Sequence, residues 1–423
     1  MEGSALRKIS IPTCEEVSDR MRNRAVCMGA AFAAFFVGLI AAGNRLDQTT
    51  AQPKSVAQAP KFQVDPLWPK PLPNHWVLGS VTGVAVDSEN HIWIVQRGAD
   101  SLSPLEKGAI LDPPTGCCVP APQVLEFDAA GNLLGHWGGP GPGFDWPHST
   151  GGLAVAPSGN VWIAGAGLPA APRGPSGPGA TRPSAPAPQD AQVVEFSGAG
   201  QFVLQIGHAG KPEGNDSTTG LNRPAGVSVD AKASEVYVAD GLGNRRVVVF
   251  DAGTGAYKRH WGAYGEKPDD STLPPYDPSA PPAKQFREVT CAKLSNDGLV
   301  YVCDRQGDRI QVFHKDGKFV KEAVIAKATL GDGSVWDVAF SNDPRQRFLY
   351  VADGQNKKIW IVDRASLEVI SSFGDGGRYP GLFYGVGSIA VDSQGNVYTG
   401  ETYEGKRVQK FAYKGLAPAG QNR

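Results

Sequence analysis

The chain has no excess of charge of either sign: 41 Lys and Arg stand against 42 Asp and Glu, a formal net charge of -1. Nothing in that balance draws it toward nucleic acid. The familiar catalytic signatures are missing too. There is no H-E-x-x-H, no close histidine pair, no zinc-finger spacing, no glycine-rich phosphate loop at a strand-to-helix junction and no nucleophile elbow. His75, His91, His136, His208, His260 and His314 are scattered. Aromatic residues make up only 9% of the chain and charged residues 20%. No long amphipathic helix interrupts the folded part. Glycine and proline are plentiful instead, 53 and 34 residues, far above ordinary usage and suited to a protein of many turns.

Between those turns lie short strands. VYVADGLGNRRVVVFDAGTGAYKRHW, Val236 to Trp261, reads as three strands joined by tight turns, with AGVSVD from Ala225 as a fourth. One such sheet cannot bury its faces alone, and the pattern recurs. Copies begin at Gly83, Gly151, Val289, Val335 and Val386. The last copy stops after three strands, and KFQVDPLW, Lys61 to Trp68, is the candidate for its missing outer strand. Pairing the two would close a ring and hide two sheet edges. The expected fold is all-β: a six-bladed β-propeller of four-stranded antiparallel blades over 61–415, its N-terminal strand completing the last blade, with 416–423 as a tail.

Ahead of it, residues 1–24 are polar and carry Arg7, Lys8, Arg20, Arg22 and Arg24, and Ala25 to Gly43 is an uncharged run. That run is long enough to span a bilayer as a helix, and its positive flank places the N-terminus in the cytoplasm. A cleaved signal peptide is the competing reading. Either way the propeller is expected outside the cytoplasm, periplasmic or extracellular, tethered through 44–60 or secreted if cleavage occurs. Of six cysteines, Cys14 and Cys27 lie before and within this run. Cys291 and Cys303 flank a tight turn symmetrically and read as a cross-strand disulfide or as two buried thiols. Adjacent Cys117 and Cys118 read as a vicinal disulfide, as partners of other groups, or as reduced thiols.

The repeat consensus, an apolar strand ending in Asp, then a turn, N-x-R/K and a second apolar strand, stands at Asp240/Asn244/Arg246 and Asp353/Asn356/Lys358. It resembles the NHL repeat. That resemblance implies the fold; enzymes, receptors and scaffolds all use it.

Function is expected where the loops grow. With strands A to D counted from the centre outward, the A–B and C–D turns are uniformly short. The B–C turns and D-to-A connections hold every large insertion: 98–122, 138–150, 165–190, 208–224 and 262–288. Elaborated loops at one end of a rigid scaffold are where sites usually sit. Arg97, Asp240, Asp304, Arg305, Asp353 and Glu401 reach that face at the ends of B strands, and His148 and Asp337 at the starts of A strands. They could ring a channel mouth and hold a cation or a polar or anionic ligand. The bland reading of the acids is that they bind turn backbone.

A sharper similarity is to the peptidyl-hydroxyglycine amidating lyase propeller, which implies three zinc-binding histidines on D-to-A connections plus arginines and a tyrosine. Arg97 and Arg305 match its arginines, and His148, in WPHSTGGLAV, matches its first histidine. The second histidine position falls on Thr290, the third on Gly387 and the tyrosine on Leu242. One histidine does not complete a three-ligand zinc site; a harder ion such as calcium would draw on Asp337 or Glu401. Two readings follow. The first is a membrane-tethered propeller that binds a small molecule or an exported protein on its loop-rich face, without nucleic acid. The second is a metal-dependent lyase or hydrolase with Arg97, His148 and Arg305 as its catalytic set, zinc or calcium as its divalent metal, and His148 as a metal ligand.

Overall fold

The computed structural model describes residues 58–167 and 188–420. The apolar run 25–43, most of the tether and much of the proline-rich blade-two insertion lie outside the described residues. Among the described residues, no helix is long and apolar enough to cross a membrane.

Six four-stranded sheets form the described structure, with a short two-stranded parallel pairing of Trp76–Val77 and Val119–Pro120 beside them. Strands A to D are Val81–Val86, Ile92–Gln96, Val124–Phe127 and Leu133–Trp137 in blade one, then Thr150–Val155, Val161–Gly165, Gln192–Phe196 and Phe202–Gly207 in blade two. Blade three has Gly226–Asp230, Glu235–Asp240, Arg246–Asp251 and Tyr257–Trp261; blade four has Val289–Leu294, Leu299–Asp304, Arg309–His314 and Phe319–Val324. Blade five has Asp337–Phe340, Phe348–Asp353, Lys358–Asp363 and Val369–Phe373. In blade six Val386–Val391, Val397–Glu401 and Arg407–Pro418 are joined by Gln58–Asp65 as the outermost strand. Every pairing within the blades is antiparallel, including Val64 opposite Phe411 and Asp65 opposite Lys410.

The B and C strands are hydrophobic on both faces because each blade is covered by a neighbour on either side. Glu235–Asp240 is buried at every position, whereas the outer strand Phe202–Gly207 starts exposed. Six apolar clusters result, one at each junction. Tyr237 and Val249 of blade three meet Phe286, Val300 and Phe313 of blade four, and Tyr398 and Val408 of blade six meet Val81, Ile92 and Phe127 of blade one. The blade six to blade one cluster makes the array a ring.

The edge strand begins and ends earlier than the expected Lys61–Trp68. Pro66 cannot donate to a ladder, and the Asp65 carboxylate accepts the Leu67 N–H at 3.1 Å, turning the chain. Trp68 then leaves the sheet and packs between Phe127 and Tyr398, with ring centroids 5.9 and 5.0 Å away. Both close cysteine pairs are bonded, Cys117 to Cys118 and Cys291 to Cys303.

A buried acid between the B and C strands of blade four gives the fold a pH dependence. Asp308 is fully buried; its Oδ1 accepts the Ser334 N–H at 2.9 Å, and among the described residues its Oδ2 has no hydrogen-bond partner. Burial, reinforced by the charge of Asp353, pushes its pKa up to about 7. A carboxyl raised above its unfolded value stabilises the fold while protonated, so this contribution is complete below about pH 4 and is lost as pH rises through about 7. Asp308→Asn keeps the Ser334 bond and removes the ionisation. Urea midpoints measured from pH 4 to 8 should fall less steeply for the variant than for the parent, and parallel curves would refute the assignment.

Candidate functional site

The strand-end acids do not ring the mouth. Asp240, Asp304, Asp353 and Glu401 are fully buried, and all four are taken up by their own blades. Asp240 pairs with Arg246 Nε at 2.9 Å and accepts the Asn222 N–H. Asp304 pairs with Arg309 Nε at 2.7 Å and accepts the N–H groups of Arg287 and Glu288. Asp353 holds Asn356 and the Trp360 indole N–H, and Glu401 holds Arg407, Gln409 and the Tyr384 N–H. In blades three, four and six the acid grips the chain just before it enters strand A, and strand C supplies a cation. This corrects the expected ligand ring: the residues fix the loops, and their oxygens are already occupied.

What converges instead is a set of arginines around a cavity of about 130 Å³ on the channel axis. Arg97 and Arg305 line it, with Trp336, Tyr403, Asp337 and Lys293. The bore is narrow because the inner strands approach through glycines. A Cβ on Gly83 would lie 2.6 Å from the Leu153 nitrogen and one on Gly226 2.7 Å from the Thr290 carbonyl oxygen.

The backbone around Arg97 is set by the buried Gln96 amide. It accepts the N–H groups of Gly79 and Gly98 at 2.8 and 2.7 Å and donates to the Ala121 carbonyl at 2.8 Å. The Arg97 guanidinium has no ion pair or side-chain hydrogen bond among the described residues, and its Nε is buried without a partner. Desolvation and the cations of Arg305 and Arg223 lower its pKa, yet a guanidinium remains charged. Arg305 is held differently: it grips Glu288 with two bonds of 2.9 Å and lies over the Trp336 ring at 4.5 Å. Asp337, whose pKa burial raises, lies 3.4 Å from Lys293 Nζ and accepts the N–H groups of Val338 and Ile389.

His148 does not line this cavity. Its backbone is fixed by Asp190, and its ring Nδ1 faces Asp100 at 4.0 Å. Arg97 and Arg305 are therefore brought together, and His148 stands apart from them. The residues present do not fit zinc at the mouth. Thr290 donates its hydroxyl to the Trp336 carbonyl at 2.8 Å, and Gly387 has no side chain. Among the described residues, two groups have metal-like spacing. In the first, Cys291 and Cys303 next to Asp337, the sulfurs are already joined; the second, Asp87, His91 and Glu126, sits at a turn of the plain face.

Sequence reasoning missed Arg223, Glu288, Trp336 and Tyr403. Arg223 donates to the carbonyls of Ala166 and Leu242 at 3.3 and 2.9 Å, and both of those residues line the cavity. The available signal was that Arg223, Glu288 and Trp336 lie within three residues ahead of an A strand, on the same connections that yielded His148.

No family model matches the chain. A six-bladed propeller of NHL-like repeats is what the fold and sequence define. Over 352 residues the chain is 26% identical to peptidyl-glycine alpha-amidating monooxygenase of Mus musculus, covering 77% of this chain and 29% of that protein. Over 266 residues it is 27% identical to peptidyl-glycine alpha-amidating monooxygenase B of Xenopus laevis, with coverages of 58% and 24%. It thus spans less than a third of those proteins. NHL repeat-containing protein 3 of Mus musculus is 26% identical over 319 residues, covering 74% of this chain and 69% of that one. Among solved structures, virginiamycin B lyase from Staphylococcus aureus aligns with a TM-score of 0.43 and 14% identity over 84% of this chain and 88% of that one.

Proposed function

We propose that this protein is an exported propeller that captures a small anionic ligand, a carboxylate in the first instance, at the mouth of its channel. The unpartnered Arg97 guanidinium carries this reading. A half-buried cation without a counter-charge is costly, and a carboxylate matches its donors two at a time. Arg305, braced by Glu288 and Trp336, is the rigid wall opposite. In the same proposal residues 25–43 anchor the chain in a membrane with the propeller on the far side. Titration calorimetry with acetate on the purified full-length protein tests the binding step. Arg97→Ala should weaken binding at least ~10-fold, the equivalent of about 1.4 kcal/mol; unchanged affinity would remove the basis of the proposal.

The similarity to the amidating monooxygenases favours a second reading, a divergent metal-dependent lyase. It needs ligands other than the histidines at 290 and 387 that this chain lacks. Metal analysis of the same preparation separates the two, because stoichiometric zinc lost on His148→Ala would favour the lyase.

A further inference from the structure

A cavity of about 950 Å³ opens on the plain face, among the A–B and C–D turns of blades four to six; ordinary ligand pockets span ~300–1,000 Å³. One wall is the A–B turn of blade five, SNDPRQR, longer than the SNDG turn of blade four. That turn is moored on both sides. The Gln346 side chain accepts the Asn296 N–H of blade four at 2.7 Å. Arg364 pairs with Asp297 at 2.9 Å and donates to the Gln346 and Arg345 carbonyls at 2.8 Å each. Asn342 donates to the Ser393 carbonyl of blade six. The wall is therefore fixed before any ligand arrives, and Phe348, Tyr413 and Leu416 give the cavity apolar lining.

Each B strand carries one aromatic residue at the same place in the repeat, and every blade but the fifth ties its polar atom to a side chain. The Trp93 indole donates to Asp87 at 2.9 Å, and that of Trp162 to Glu195. The hydroxyls of Tyr237 and Tyr398 donate to Glu235 and Asp392 at 2.8 and 3.1 Å, and that of Tyr301 accepts Arg364 at 3.3 Å. Tyr350 is the exception. It lines the cavity and is 2% exposed, and among the described residues its hydroxyl has no hydrogen-bond partner. Where blades one and six end strand A in Asp87 and Asp392, blade five has Ser341, whose hydroxyl is engaged by Asp343 at 2.5 Å and the Phe348 N–H at 2.9 Å. Burial raises the Tyr350 pKa, so the group is a phenol with a proton to donate. We infer that this cavity is a second binding site, for a small uncharged molecule with an aromatic body and one hydrogen-bond acceptor, and that the Tyr350 hydroxyl anchors it. A dehydrated hydroxyl without a partner is costly, and an acceptor on the ligand removes that cost. The rim selects no ion, because Asp297, Asp343 and Asp363 accompany Arg345, Arg347 and Arg364 in the lining. The inference does not depend on the reading of the channel mouth.

Equilibrium dialysis of the full-length protein tests this with three probes: acetonaphthone, an aromatic ketone; ethylnaphthalene, its near-isostere without the carbonyl; and naphthoate, which adds a negative charge. The parent should bind the ketone at least ~5-fold more tightly than the hydrocarbon, a difference of about 1 kcal/mol, and naphthoate no more tightly than the ketone. Tyr350→Phe keeps the ring that packs 5.4 Å from Phe62. It should bring ketone and hydrocarbon to within ~2-fold of each other and leave the urea midpoint where it is, because the hydroxyl makes no bond in the fold. Equal affinity of the parent for ketone and hydrocarbon, a ketone preference that survives Tyr350→Phe, or a lowered midpoint for that variant would each overturn the role of the hydroxyl. Naphthoate binding more tightly than the ketone by ~10-fold would overturn the assignment of an uncharged ligand. Failure of all three probes to bind would overturn the site.

Discussion

Removing Gln58–Asp65 should abolish cooperative unfolding of the propeller. That strand contributes Phe62 and Val64 to the cluster shared by blades five and six. The Phe62 ring lies 4.9 Å from that of Phe373 and 5.4 Å from that of Tyr350. Burying such side chains is worth about 1.5–3 kcal/mol each. Their loss together with a full row of ladder bonds approaches the ~5–15 kcal/mol total stability of an ordinary domain. Arg407–Pro418 would then become an open edge. The expected result is loss of a sigmoidal thermal transition and a shift to aggregates in size-exclusion chromatography. The milder Phe62→Ala, at a half-buried position, should cost up to about 3 kcal/mol. A deletion variant that melts as sharply as the parent would show that the ring does not depend on this strand.

The second large effect is expected at Arg246, a guanidinium with no exposed surface. It donates to Asp240 at 2.9 Å and to the carbonyls of Asn215, Ser217 and Gly220 at 2.8, 2.5 and 2.8 Å. Arg246→Ala leaves the Asp240 carboxylate buried without its counter-ion and three carbonyls unsatisfied, a loss of about 3–5 kcal/mol. The variant should also weaken anion binding without touching the ligand, because the 208–224 connection that carries Arg223 is moored by these bonds and by the Asp240 to Asn222 bond. Urea denaturation and calorimetry on one preparation check both halves. A variant destabilised by less than about 1 kcal/mol would mean that the connection is held elsewhere.

Arg246 also shows what could be read from the sequence. The consensus carried the tie within it: Asp240 and Arg246, Asp304 and Arg309, and Glu401 and Arg407 are directly opposed in the ladders. Pairing strand B with strand C was enough to predict that these acids meet a cation of their own blade. Reading the acids one strand at a time made them look like ligands. Blade number, strand order and the placement of insertions were legible because a period of stacked sheets leaves a continuous apolar signature in the B and C strands. Arg97 and Arg305 were found because they stand at the ends of B strands on the elaborated face and match the arginines of the similar lyase propeller. Arg223 and Trp336 lie just ahead of A strands, but side-chain placement on those connections is set by contacts with neighbouring blades, so position alone did not separate them from the other residues there. His148 matched a motif, but Asp190 and Asp100 fix where it lies, and neither is near it in sequence.

The pairing of Asp65 with Lys410 also constrains the order of events in biogenesis. The strand that leaves the ribosome ahead of all the blades cannot find its partner until the sixth has emerged. During synthesis the growing repeats therefore expose unpaired backbone at both ends, and the locking step waits for the last segment. Slowing late synthesis should lengthen that interval.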